Sequence, residues 1–305
     1  MKTTVIHHSA DYDGIFCREI ARKFLPDAEL IEWNFGDRPI SIPNGNIIVL
    51  DLPLDKPFGF DFEDKEQAHI FNGWSRIIWI DHHKSAINTH PKNIPGYRID
   101  GVAACRLAWQ WFYRQEVEKT TSAPLWLPTI DLFLERKVYE PFAVRLAGEY
   151  DIWDKRDPDA ETFQYALRSC IPQWDILLGV FPDNVESTEL INRMLLDGKL
   201  CQRYAQSENE SIVKSKSFLV EWEGLKFLTI NSTHFNSLLF AAKDIPETGH
   251  DALMKFYWNG KTWTVSLYHA KHRIDLDLSA IAIKYNGGGH KGACEFAVTK
   301  LPFLP

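Results

Sequence analysis

Eight consecutive residues, His7-His8-Ser9-Ala10-Asp11-Tyr12-Asp13-Gly14, put two imidazoles and two carboxylates into one short stretch. The same residue types return at Asp51, at Asp81-His82-His83 and at Asp151 and Asp154, with no cysteine among them. Imidazole and carboxylate without thiolate suit Mn²⁺ or Mg²⁺ better than a structural zinc. Two such ions about 3.5–4 Å apart are a general device for in-line displacement at phosphorus, because they hold the nucleophile and offset developing charge. Acids brought together without cations would repel one another and raise their own pKa values, so a cluster of four or five implies metal. Downstream, Asn286-Gly287-Gly288-Gly289-His290 offers a different chemistry. Its glycines permit close backbone approach, so that N–H groups can face an anion while His290 adds a hydrogen bond or a charge; a turn between helix and strand accounts for the same residues equally well.

What precedes each stretch says how it is positioned. Thr3-Thr4-Val5-Ile6 is a β-branched run, and Phe16, Ile20 and Phe24 recur at every fourth residue, so the first stretch is a corner between a buried strand and an amphipathic helix. Such corners, at the carboxyl ends of strands, are where open α/β sheets bind ligands. The simplest reading of Asp13-Gly14 alone is a carboxylate capping the helix start. Ile47-Ile48-Val49-Leu50 runs into Asp51, and Ile77-Ile78-Trp79-Ile80 runs into Asp81. Continuous apolar runs indicate strands buried on both faces, as in a parallel sheet. One acid at a strand end could simply face solvent, whereas three such corners would converge on one sheet edge.

Residues 29–33 read as a further strand and 64–71 as a helix; Val102, Cys105, Trp109 and Phe112 lie at helical spacing as core contacts; 120–128 reads as a loop and 141–147 as a helix. Asp151 and Asp154 follow that last helix, where the helix dipole disfavours acids, so a cation or a solvated loop must account for them. After a polar helical connection the pattern becomes strand-rich. Residues 218–220 and 226–230 flank Glu223-Gly224, while 252–258 and 262–268 flank Asn259-Gly260, a type I′ hairpin signal. A helix over 276–285 leads into the Gly-rich stretch. The expected fold is therefore α/β: an N-terminal, mostly parallel sheet with helices on both faces over residues 1–186, a helical linker over 187–214, and a smaller C-terminal α/β domain over 215–305.

Composition bounds the partners. The 305 residues are 45% hydrophobic and 25% charged, with net charge −7, which gives no basic face for long duplex nucleic acid. The 11 tryptophans are mostly core residues, with base stacking the minority reading. Five widely spaced cysteines argue for free thiols in a reducing compartment. No apolar run reaches the roughly 18 residues of a membrane span, and the N-terminus enters a strand without a signal-peptide pattern, so the expected location is the cytoplasm, away from membranes. The oligomeric state stays open, a homodimer included.

Taken in order, His7-x-x-x-Asp11-x-Asp13, Asp51 after its apolar strand, Asp81-His82-His83, Asp151 and Gly287-Gly288-Gly289-His290 resemble the successive motifs of the DHH phosphoesterase superfamily with its DHH-associated C-terminal domain, over nearly the whole chain. The resemblance implies two Mn²⁺ ions, with Mg²⁺ as the alternative, and an active site in the interdomain cleft. His7 and Asp11 would bind one ion, Asp13, His82 and Asp151 the other, and Asp51 would bridge them. Asp81 would orient an imidazole, and His83 would contact the scissile phosphate or protonate the leaving oxygen. Gly287, Gly288, Gly289 and His290 would hold the far end of the substrate. The implied reaction is in-line attack of hydroxide on short oligoribonucleotides or small nucleotide phosphodiesters, giving mononucleotides, as in the nano-RNA-degrading branch. Pyrophosphatase, polyphosphatase or nucleotide phosphomonoesterase activity is the alternative, and a non-catalytic nucleotide sensor a third. The sequence departs from the family pattern at Tyr268-His269, where many members carry an arginine; Lys271, His272 or Arg273 would then supply the phosphate contact.

Overall fold

A computed structural model describes residues 2–60, 76–121, 126–154, 156–179, 185–233, 249–270 and 272–304. The chain divides into two compact units, Met1–Cys201 and Gln202–Pro305. The first holds strands β1 (Thr3–His7), β2 (Glu29–Glu32), β3 (Asn46–Leu50), β4 (Ile77–Asp81) and β5 (Gly96–Arg98). They pair in the order β2-β1-β3-β4-β5, all parallel. Alternation along the central strands sends Val5, Ile48, Leu50 and Ile80 to one core and Ile6, Ile47, Val49 and Trp79 to another. A sheet covered on both faces is the arrangement that parallel strands require.

The larger core is closed by α1 (Tyr12–Phe24), α2 (Ala104–Thr121), α3 (Phe142–Asp151) and α4 (Pro158–Ser169), through Phe16, Ile20, Cys105, Trp109, Val144 and Phe163. Phe24 stacks on Phe112 with ring centroids 5.9 Å apart, so the fourfold spacing of α1 is a true core stripe. On the opposite face Phe58, Ala86 and Ile94 cover the strands. The helix expected over 64–71 lies outside the described residues. The loop expected from residue 120 begins later, because α2 continues to Thr121 and the hydroxyls of Thr120 and Thr121 bond back to the carbonyl of Val117.

A 32-residue helix, α5 (Val185–Lys216), runs through the boundary between the units. Leu190, Ile191, Met194 and Leu195 belong to the core of the first unit and Val213 to that of the second. The second unit has β6 (Phe218–Trp222), β7 (Leu225–Asn231), β8 (Ala252–Trp258), β9 (Trp263–His269), α6 (Ser279–Lys284), β10 (Gly288–His290) and β11 (Ala293–Val298). Its strand order is β10-β11-β9-β8-β7-β6, antiparallel except between β7 and β8.

Two hairpin details differ from expectation. Positive φ at both central residues, which a type I′ turn requires, occurs at Glu223 (φ 53) and Gly224 (φ 75). At Asn259-Gly260 only Gly260 has positive φ. There the Asn259 carboxamide accepts from the N–H groups of Lys261 and Thr262, each at 2.9 Å, so a side-chain turn replaces the type I′ geometry. Among the described residues no helix is long and apolar enough to cross a membrane, and the five cysteines are unbridged.

Candidate metal centre

The carboxyl ends of β1, β3 and β4 deliver His7, Asp51 and Asp81 to one edge of the parallel sheet. His7 is 1% exposed. Its Nδ1 lies 2.8 Å from the carbonyl of His8, which can only accept, so Nδ1 carries the proton and Nε2 keeps its lone pair. Burial lowers the pKa of His7 and favours that neutral, ligating form. Asp11 caps α1 by accepting from Gly14 N at 3.1 Å, and its other oxygen lies 3.5 Å from His8 Nε2.

Asp13 turns away from its own helix. Its two oxygens accept from Ala104 N at 2.8 Å and Cys105 N at 2.7 Å, the free donors at the start of α2. Asp51 follows β3 in the left-handed region (φ 58), and its buried Oδ1 has no hydrogen-bond partner among the described residues. Asp81 is fully buried; its Oδ1 accepts from His83 Nδ1 at 2.7 Å and from His82 N at 2.8 Å. The imidazole that Asp81 orients is therefore that of His83, whose ring lies 4.7 Å from that of His82.

His82 is the meeting point. Its Nε2 lies 3.6 Å from Asp13, 3.5 Å from Asp51 and 3.5 Å from Asp151. Ligand atoms within 4.8 Å of one another form two overlapping groups, Asp51–His82–His83 and Asp13–His82–Asp151. His7 and Asp11 occupy the neighbouring corner and belong to neither group. Burial, reinforced by Asp13 and Asp11, holds the Asp51 carboxyl well above its ordinary pKa, and burial with Asp13 does the same at Asp151. Burial pulls the His82 pKa down, but Asp13, Asp151 and Asp81 outweigh it and the net shift is upward.

An orphaned carboxylate oxygen within a knot of acids is what a divalent cation would resolve, so the residues fit the ion. Either group could hold one. The nearby thiols of Cys17 and Cys105 are pushed up by burial, stay protonated and do not compete as ligands.

Other residues do structural work that local sequence does not reveal. Arg136 holds the fully buried Glu149 through two hydrogen bonds of 2.9 and 2.7 Å, just before Asp151 at the end of α3. Asp154 is bound by the Arg156 guanidinium, Nε to Oδ1 2.8 Å, which holds its carboxyl below the ordinary range. The cation that its position calls for is thus a side chain. Gly14 is fixed by space, since a Cβ there would lie 2.3 Å from the carbonyl oxygen of His8. Gly14→Ala is expected to cost about 1–3 kcal/mol of stability through overpacking. It should also weaken metal binding, because the corner carrying His7 must shift. Thermal unfolding and calorimetric Mn²⁺ titration read the two effects separately, and full metal affinity in a folded variant would remove that corner from the centre.

In the second unit, Gly288 to His290 form an edge strand on β11, in place of an open loop. A Cβ at Gly287 would fall 2.2 Å from Glu295 O, and at Gly289 2.7 Å from Ala293 O, so close strand approach by itself requires glycine there. The Arg273 guanidinium is engaged by Asp251 and by Asp275, the latter at 3.1 Å. His269 Nε2 lies 2.6 Å from Leu276 O, and burial pushes the Tyr268 hydroxyl up to about 12.

No family model and no curated protein matches the chain. Among solved structures, it is similar to the DHH domain of a member of a family of ribosomal proteins, at 14% identity over 98% of this chain and 83% of that one, with TM-score 0.49. It is similar to the pGpG-specific phosphodiesterase PggH from Vibrio cholerae at 14% identity, over 98% and 94% of the two chains, with TM-score 0.39. Against RecJ in complex with Mn²⁺ from Thermus thermophilus the values are 14% identity, 97% of this chain, 49% of that one, and TM-score 0.46.

Proposed function

We propose that this chain is a phosphodiesterase with two divalent metal ions, preferentially Mn²⁺, that cleaves short oligoribonucleotides or small nucleotide phosphodiesters to mononucleotides. The observation that carries the reading is the convergence of Asp13, Asp51 and Asp151 on His82 at the carboxyl edge of a parallel sheet, with His7 and Asp11 at the neighbouring corner. Asp13, His82 and Asp151 would hold one ion, His7 and Asp11 the other, with Asp51 between them. When bound, the ions would lower the pKa of water and offset charge on the phosphoryl oxygens.

The protein's own groups do the rest. Asp81 fixes the His83 ring through Nδ1 and leaves Nε2 for the substrate. In the metal-free centre burial lowers the pKa of His83, and Asp81 with Asp51 outweighs it; held by Asp81, the ring would act as the donor to the leaving oxygen.

The test is Mn²⁺-dependent release of AMP from the diribonucleotide pApA, with pyrophosphate and adenosine 3′,5′-bisphosphate in parallel and Asp13→Ala as the blank. AMP release that the blank lacks supports the phosphodiesterase. Silence on pApA with phosphate release from either other compound would replace this reading with a pyrophosphatase or phosphomonoesterase, and silence on all three would replace it with a sensor.

A further inference from the structure

The turn after β2 is joined to the ligand corner by its backbone and side chains. Trp33 N donates to His7 O at 3.0 Å, and Ser9 N donates to the Asn34 carboxamide oxygen at 3.0 Å. Asp37 N donates to Asn34 O at 2.9 Å, and Asn34 N donates to Asp37 Oδ2 at 2.8 Å. Gly36, with φ +98, takes the third position of this four-residue turn, the place where a type II turn needs positive φ. Trp33 is buried, and its indole N–H donates to Arg38 O at 3.2 Å.

Phe35 sits in the middle of this fixed turn and is 56% exposed. Exposing a phenyl ring forgoes burial free energy, and a turn fastened on both sides holds it there. Its ring lies 5.9 Å from the His8 ring at 66°. The Nε2 atom of His8 is in turn 3.5 Å from Asp11. A rigid, exposed aromatic face is thus one imidazole away from the candidate ligands, in the same unit of the chain.

We propose that Phe35, with His8 beside it, is a base-binding subsite on which the planar heterocycle of a nucleotide stacks while its phosphate lies at the metal centre. The inference rests on the phosphoesterase reading and deepens it: the substrate carries a nucleobase, which inorganic pyrophosphate and polyphosphate lack. The neighbouring Asn34 carboxamide is held at both its oxygen and its nitrogen by Ser9, which fixes it to the turn. Stacking alone is tolerant of base identity. Adenine and guanine should therefore be held about equally.

The experiment is calorimetric titration of the Mn²⁺-loaded full chain with AMP, GMP and ribose 5-phosphate. Wild type should bind both nucleotides about tenfold or more tightly than ribose 5-phosphate, the scale of one base stack. Phe35→Ala should bring both down to the ribose 5-phosphate value, which itself stays unchanged and so reports an intact fold, while Phe35→Tyr keeps the nucleotide advantage. An advantage absent from wild type, or intact in Phe35→Ala, overturns the subsite. If ribose 5-phosphate binds and the base adds nothing, the subsite alone is wrong; if ribose 5-phosphate does not bind and pApA is not cleaved, the phosphoesterase reading fails and the subsite with it.

Discussion

Asp51→Asn is expected to lower phosphoester cleavage by about 10³-fold or more and to weaken both metal ions together. The rate estimate takes several kcal/mol of charge stabilisation from the paired ions, with each 1.36 kcal/mol worth a factor of ten. The bridging role proposed for Asp51, which the family resemblance implies, is supported by a count of lone pairs. His82 belongs to both ligand groups, but its Nε2 has one lone pair and can serve one ion. Each Asp13 oxygen accepts one bond from α2 and keeps one lone pair, enough to serve the ion shared with His82 and Asp151. Asp51 Oδ1 has no hydrogen-bond partner among the described residues. A carboxylate with an uncommitted oxygen is the natural bridge. Asparagine tolerates the left-handed backbone of this position, so the variant keeps its geometry and loses the charge. Asp151→Asn touches one group only and should weaken one ion. Mn²⁺ stoichiometry and affinity by calorimetry separate the two variants; one ion retained at full affinity in Asp51→Asn would break the bridge.

The placement of Asp51 and Asp81 was legible because strand ends are visible as apolar runs that stop at a polar residue. Ile47 to Leu50 and Ile77 to Ile80 are buried on both faces, and that is why they read as continuous runs. What remained illegible depends on contacts distant in sequence. Asp13 is held by amides 91 and 92 positions downstream, and backbone amides carry no signature of residue type. Asp81 could be assigned to an imidazole but not to His83 in particular, since the choice rests on how the chain turns after β4. The Gly-rich stretch reads like an anion cradle, yet its glycines are also demanded by van der Waals contact with β11, which only the register reveals. Phe35 gave no signal at all: its exposure is set by a turn tied to Ser9, and a lone phenylalanine beside a buried tryptophan looks like core.

Without divalent metal, the protein is expected to lose stability as pH rises, and Mn²⁺ should reverse the trend. Asp51 and Asp151 have pKa values held well above 3.8 in the folded state, and His82 and His83 values above 6.5. A group whose folded pKa is raised contributes stability that is fully present below its unfolded value and is lost as pH climbs through the folded one. The two aspartates begin this loss above 3.8 and the two histidines above 6.5, so all four push in the same direction. Among the centre's residues His7, lowered by burial, opposes them. Metal ligands must be deprotonated to bind, so ions gain affinity over the same range in which the empty centre costs most. Saturation at a hundred times the dissociation constant adds about 2.7 kcal/mol per site. Thermal unfolding at about pH 5.5, 7 and 8.5, in chelator and in excess Mn²⁺, should show two curves that diverge with pH. Asp51→Asn in chelator should flatten the metal-free curve, since a charge strongly disfavoured by its surroundings is gone. A wild-type metal-free curve that stayed level, or rose, would mean that the acids around His82 are relieved by something other than a cation.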